Sequence, residues 1–182
     1  LHEPLILNSI KDREGNLVQN FIPKSKEVAD EKTVYILRDM MKSVVDKGTG
    51  GSLRWKYKFY SPAAGKTGTT NNKTDAWFIG FTPEIAIGVW VGIDNPEMKL
   101  GDKQYGSKAA LPIFAKTINK IYSQGDYYYL NNAIPLNSRA DWDIPEGVVK
   151  KSICEDTCCL QTEWCDSYDE YFMENNSPNS QC

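Results

Sequence analysis

Hydrophobic and polar positions alternate along the chain with two different periods. Leu5, Ile6 and Leu7 lead into Asn8-Ser9-Ile10, the run Asp12-Arg13-Glu14-Gly15-Asn16 has turn chemistry, and Leu17-Val18-Gln19-Asn20-Phe21 follows. That order predicts a β-hairpin, closed by Pro23. Asp30 is a candidate N-cap. After it Val34, Leu37, Met41, Val44 and Val45 recur at helical spacing, with Arg38, Asp39, Lys42 and Asp46 on the other face. This predicts an amphipathic helix whose apolar stripe packs in the core, stopped near Gly48, with Gly48-Thr49-Gly50-Gly51 as a flexible exit.

The period then shortens to two. Residues 63–69, 75–82 and 85–93 read as strands, and the short links, Pro83-Glu84 above all, favour antiparallel pairing. In the third strand Ile85, Ile87, Val89, Val91 and Ile93 share one face, while Ala86, Gly88, Trp90 and Gly92 share the other. Neither face is polar, so this strand is expected to be covered on both sides, as a central strand is. After a glycine-containing loop at 100–107, helical spacing returns over 109–122 through Leu111, Ile113, Phe114, Ile118, Ile121 and Tyr122, with Pro112 tolerated in the first turn. From Gln124 the pattern weakens. Tyr127-Tyr128-Tyr129, Pro135, Pro145 and Gly147 suggest extended, loop-rich chain, and residues 154–182 an acidic, polar tail. The expected class is α/β of the α+β kind: an antiparallel sheet with helices packed on it.

Composition narrows the function classes. The 182 residues are 41% hydrophobic and 25% charged, the mixture of a folded globular domain. The formal charge is −3 with no basic stripe, which argues against a nucleic-acid partner. No apolar run approaches the roughly 20 residues that span a bilayer, and no signal peptide opens the sequence. The chain starts at Leu1 inside an apolar run already under way, so it reads as a fragment or a processed chain. The five cysteines, Cys154, Cys158, Cys159, Cys165 and Cys182, all follow residue 153. This divides a cysteine-free body, 1–150, from a cysteine-bearing tail, 151–182. An odd count allows two internal disulfides and leaves one thiol.

The densest chemistry lies in Ala63-Ala64-Gly65-Lys66-Thr67-Gly68-Thr69-Thr70-Asn71-Asn72. Gly65-Lys66-Thr67 suggests a phosphate-binding loop, but that motif needs glycine where Tyr60 stands and a helix where a strand follows. An anion site on a strand edge fits better. Lys66 carries positive charge, Thr67 and Thr69 point to one side of the pleat, and Gly68 lets a guest backbone lie alongside. Such a rail suits a peptide ending in a carboxylate. An ordinary strand with a surface lysine and strand-forming threonines explains the triplet equally well when it is taken alone.

The wider context is more specific. Gly65-Lys66-Thr67-Gly68-Thr69-Thr70, then Asp75-Ala76-Trp77-Phe78-Ile79-Gly80-Phe81-Thr82-Pro83, then Val89-Trp90-Val91-Gly92 closely resembles the penicillin-binding transpeptidases, and most the bifunctional class A type. Val44-Val45 with Lys47-Gly48-Thr49-Gly50, and the stretch from Gly106 through Ala110-Leu111-Pro112, are similar to the same family. The resemblance implies part of a penicillin-binding transpeptidase (serine β-lactamase-like) fold. It implies a serine acyl-enzyme that cross-links peptidoglycan stem peptides and is acylated by β-lactams. Lys66 would then supply positive potential, and Thr67 and Thr69 would bind the terminal carboxylate. Gly68 and Thr70 would line the substrate, and the Thr69 N–H would form half of the oxyanion hole. Trp77 would be a cleft-side aromatic or core packing under the sheet. No metal or other cofactor is implied.

That family carries Ser-x-x-Lys and Ser-x-Asn ahead of Lys-Thr-Gly. This chain has no Ser-x-x-Lys, and its one Ser-x-Asn, Ser177-Pro178-Asn179, lies in the tail. The nucleophile, the middle motif and any membrane anchor are therefore expected upstream of Leu1, with the domain on the extracytoplasmic side of a bacterial membrane. A non-catalytic peptidoglycan-binding or scaffold module is the rival reading, and a β-lactamase or carboxypeptidase of the same fold a weaker one. An extracytoplasmic setting favours disulfides over zinc for the tail cysteines, whose spacing lacks paired Cys-x-x-Cys knuckles and whose connectivity stays open.

Overall fold

The structure, a computed structural model, describes residues 4–95, 98–123 and 141–181. Strands β1 (Ser9–Lys11) and β2 (Leu17–Asn20) form the expected N-terminal hairpin, with a register shift between Ile10 and Lys11. Asp12 holds its turn by accepting from the Asn16 backbone N–H at 2.7 Å and from Asn16 Nδ2 at 2.9 Å.

Helix α1 runs from Glu31 to Asp46, and Asp30 caps it by accepting from the Thr33 N–H at 3.0 Å. Its buried residues are Tyr35 and Val45, whereas Val34 and Leu37, expected in the core, are exposed. The face that turns inward is set by aromatic contacts the periodicity does not show. Tyr35 packs edge-on against Tyr171 at 5.2 Å, and the Arg38 guanidinium lies over the rings of Tyr35 and Trp142 at 4.5 and 4.7 Å. The glycine segment after α1 is fastened rather than flexible. The N–H groups of Gly48 and Gly50 donate to the carbonyls of Ser43 and Val44 at 3.0 and 2.9 Å. A one-turn helix, α2 (Ser52–Trp55), follows and buries Leu53.

Strands β3 (Ala64–Thr69), β4 (Asp75–Phe81) and β5 (Ala86–Gly92) form an antiparallel sheet in that order. Lys66 faces Ile79, Gly68 faces Trp77, and Trp77 faces Trp90. Thus β4, not β5, is central. Phe78, Val89 and Val91 point toward a core built from Val45, Leu53, Leu111, Phe114 and Ile118. The rings of Phe78 and Phe114 stand 4.9 Å apart. The opposite face carries Trp77, Ile79 and Trp90, which are 42%, 51% and 46% exposed. Among the described residues, cover on both faces, and Trp77 as core packing, are therefore not found, because the described helices that pack on the sheet lie on one side of it.

Helix α3 (Leu111–Ser123) lays Leu111, Phe114, Ala115, Ile118 and Ile121 on that side. Ile113 lies off the stripe and is exposed. The aromatic run Tyr127-Tyr128-Tyr129 and Pro135 fall outside the described residues. The expected polar tail is in fact a hairpin, β6 (Val148–Cys154) against β7 (Ser167–Met173). Lys150 and Ser152 both bond Asp169 across it, at 2.7 and 2.6 Å. A Cys154–Cys165 disulfide closes the loop between the strands, Cys159 is disulfide-bonded as well, and Cys158 is an exposed free thiol. The division drawn at residue 150 passes through β6.

Candidate active site

Among the described residues, β3 pairs only with β4, so its other edge is open. Lys66, Thr69 and Thr70 are exposed, and Thr67 and Gly68 are half-buried. Strand alternation puts Lys66 on the face opposite the two threonines. Its ammonium folds back to the strand and donates to the Thr67 carbonyl at 2.9 Å. Charge and hydroxyls thus meet along one strand, though their side chains leave from opposite faces.

Among the described residues, the Thr67 and Thr69 hydroxyls have one protein partner each. Thr67 Oγ1 lies 3.1 Å from Thr49 Oγ1, and Thr69 Oγ1 accepts from the Gly106 N–H at 3.2 Å. A hydroxyl has one hydrogen and two lone pairs. One hydrogen of the Thr49–Thr67 pair closes the bond between them, and the other is free. Among the described residues the Thr69 oxygen serves only as an acceptor, which leaves its hydrogen available. The strand and Thr49 beside it therefore offer, among the described residues, two O–H donors and an ammonium, a set suited to an anion such as a carboxylate. Residues 64–75 contain no serine. The arrangement is suited to holding an anion, and does not itself supply a serine nucleophile.

Two neighbours in this arrangement carry no role in the sequence reading. Thr49 stands between Gly48 and Gly50, both wound tightly against the end of α1. A Cβ on Gly48 would lie 2.9 Å from Val44 Cα, and one on Gly50 would lie 3.1 Å from the Val44 carbonyl oxygen. Alternating glycines around a single hydroxyl were the available signal. Gly106 sits against the backbone of β3 and β4, where a Cβ would lie 2.3 Å from Trp77 O and 2.9 Å from Gly68 O. Nothing local in the sequence announces that contact. Beyond Thr70, residues Asn71, Asn72 and Lys73 with Lys99, Gly101 and Asp102 line a cavity of about 210 Å³ at the end of the strand.

The sequence model described as "Penicillin binding protein transpeptidase domain" matches residues 1–119. The chain belongs to the penicillin-binding protein transpeptidase family. Curated relatives agree. Penicillin-binding protein 1A of Aquifex aeolicus is 30% identical over 183 residues, covering 99% of this chain and 23% of its own length. Penicillin-binding protein 1A of Pseudomonas aeruginosa is 41% identical over 93 residues, which is 50% of this chain and 11% of that protein. The crystal structure of penicillin-binding protein 1A from Haemophilus influenzae superposes with a TM-score of 0.78 at 21% identity, covering 99% of this chain and 30% of that one. The mixed fold of antiparallel sheets with packed helices is thus the transpeptidase fold. This chain spans between about a tenth and a quarter of the curated relatives it matches.

Proposed function

We propose that this chain is one wall of the active site of a peptidoglycan D,D-transpeptidase, a class A penicillin-binding protein. The open edge of β3, with its ammonium and the hydroxyls of Thr67 and Thr69 beside it, carries the reading. A stem peptide docks antiparallel to β3 as an added strand, and its terminal carboxylate is held by Thr67 and Thr69. Gly68 leaves room for the incoming backbone, and Thr70 completes the wall. Lys66 contributes positive potential to the proton network of the nucleophile. The Thr69 N–H supplies one oxyanion donor, worth ~3 kcal/mol of barrier in comparable sites. β-Lactams carry a carboxylate at the matching position and occupy the same rail. The serine, its lysine and the Ser-x-Asn motif belong to sequence ahead of Leu1, as does the membrane anchor. The transpeptidase domain and the cysteine-bearing appendage, divided at residue 150 by sequence, meet instead ahead of β6, since Val148–Cys154 pairs as one strand with β7. A disulfide between Cys154 and Cys165 suits an extracytoplasmic, oxidising setting.

The test is covalent labelling with a fluorescent penicillin, read on a denaturing gel. The full-length gene product is expected to label at a serine, and the isolated 182-residue chain is not. Labelling of the isolated chain would refute the placement of the nucleophile. An unlabelled full-length product would overturn the transpeptidase reading in favour of a non-catalytic binding module.

A further inference from the structure

We propose that Asp75 is a positioning residue for the site strand: its carboxylate ties the far strand β5 to the β3–β4 turn and so fixes the end of β3 at Thr69 and Thr70. This deepens the reading of β3 as a substrate rail and rests on it.

The turn at 70–74 needs fastening. Asn71, Asn72 and Lys73 are exposed, and Lys73 stands at φ +57°, a left-handed conformation that a lysine adopts only under constraint. The constraint is a relay of hydrogen bonds. Trp90 Nε1 donates to Asp75 Oδ1 at 2.9 Å, and Thr74 Oγ1 donates to Asp75 Oδ2 at 2.8 Å. Thr74 Oγ1 lies 2.9 Å from Thr70 Oγ1. An ionised carboxylate only accepts, which sets the direction of the whole chain. Thr74 gives its hydrogen to Asp75, so Thr70 gives its own to Thr74. The Thr70 oxygen in turn accepts the backbone N–H groups of Thr74 and Asp75 at 3.2 and 3.0 Å. Finally, the Thr70 N–H donates to the Asp75 carbonyl at 3.2 Å and closes the hairpin. Thr70 therefore shapes the strand end through the turn, with its hydroxyl hydrogen already engaged.

Gly92 makes the reach across the sheet possible. It pairs with Asp75 in register. A Cβ there would lie 2.2 Å from Trp90 Cζ2 and 2.8 Å from Asp75 Oδ1. The missing side chain is the space in which indole and carboxylate meet. One side chain of β4 thereby connects the outermost strand to the last residues of the site strand.

The experiment uses the full-length gene product and separates the noncovalent affinity for benzylpenicillin from the acylation rate constant. Asp75→Ala and Thr74→Val are expected to lower the acylation rate constant roughly ten-fold, the rate equivalent of one charge-assisted hydrogen bond. The affinity should change less than the rate, because Thr67, one of the two carboxylate-binding hydroxyls, is held by Thr49 and lies away from the turn. Thr74→Ser should restore the rate, and Trp90→Phe, which removes the indole N–H together with part of the ring, should give an intermediate loss. Asp12→Ala, a carboxylate fastening a different turn, should leave acylation unchanged. If Asp75→Ala fails to fold, Thr74→Val and Trp90→Phe decide. Wild-type acylation rates in those variants overturn the role of Asp75, as does a loss confined to affinity. A wild-type protein that is never acylated overturns instead the reading of the site.

Discussion

Replacing Gly106 with alanine adds one methyl group at the contact between the 100–107 loop and the site strand. The added carbon would lie 2.3 Å from Trp77 O, 2.9 Å from Gly68 O and 3.2 Å from Gly68 N. Comfortable carbon–oxygen contact begins at about 3.3 Å, so the loop must lift by roughly 1 Å. All three obstructing atoms are backbone of paired strands, and no side-chain rotation relieves them. Lifting stretches the bond from the Gly106 N–H to Thr69 Oγ1 at 3.2 Å, and disturbs the Gly106 carbonyl that receives the Ala110 and Leu111 N–H groups ahead of α3. Overpacking costs about 1–3 kcal/mol and the hydrogen bond about 1 kcal/mol. The sum is about 2–4 kcal/mol, or a fall in melting temperature of roughly 5–15 °C for a chain of this size. Gly88→Ala is the matched comparison in the same sheet. Its new carbon meets only Ile79 Cγ1, at 3.9 Å. It should be neutral or stabilise by up to ~1 kcal/mol, since glycine is a poor strand residue. Urea unfolding followed by tryptophan fluorescence reads both. If Gly106→Ala unfolds at the wild-type midpoint, or Gly88→Ala costs as much, the steric account of this contact is wrong.

Two further expectations concern elements that hold the site from behind. Arg54 donates from Nε to Asp46 at 2.7 Å and from one terminal nitrogen to the carbonyls of Phe59 and Ser61, each at 2.7 Å, anchoring the entry to β3. Arg54→Lys cannot reproduce that fork and should cost ~2 kcal/mol in urea unfolding, nearly as much as Arg54→Ala; full rescue by lysine would count against it. Tyr122 donates to Glu84 at 2.7 Å, and burial, reinforced by that carboxylate, pushes its hydroxyl up to about 12 from an ordinary value near 10. The raised value means its contribution is full below pH 10 and is lost as pH rises from 10 toward 12. The alkaline fall in unfolding midpoint should be shallower in Tyr122→Phe, and an identical slope would remove Tyr122 as its source.

What could be read from sequence followed locality. The three sheet strands, α1 and α3 lie within a residue or two of their expected bounds, because each has a strong period and Asp30 and Pro83-Glu84 are local signals. The core was overread. Val34, Leu37 and Ile113 fit an apolar pattern yet face solvent, since which face is buried depends on what packs there. The β6–β7 hairpin escaped because Lys150-Lys151-Ser152 hides its alternation, and its stability comes from Asp169, a disulfide and Tyr35, all remote in sequence. The site divides the same way. Lys66 to Thr70 form one contiguous run, whereas the bonds Thr49–Thr67, Gly106–Thr69 and Trp90–Asp75 join residues 18, 37 and 15 positions apart. No short window contains both partners.

The placement of β3 at the rim of a sheet padded by helices on one side has an evolutionary consequence. On the proposed reading, a guest strand would lengthen the sheet outward and leave the Phe78–Phe114 interior as it was. The rim and the interior then overlap only at a few contacts, such as that of Gly106 with Gly68 and Thr69. On that reading, changes along the rim would retune which peptide ends or drugs are accepted while the interior goes on specifying the same architecture.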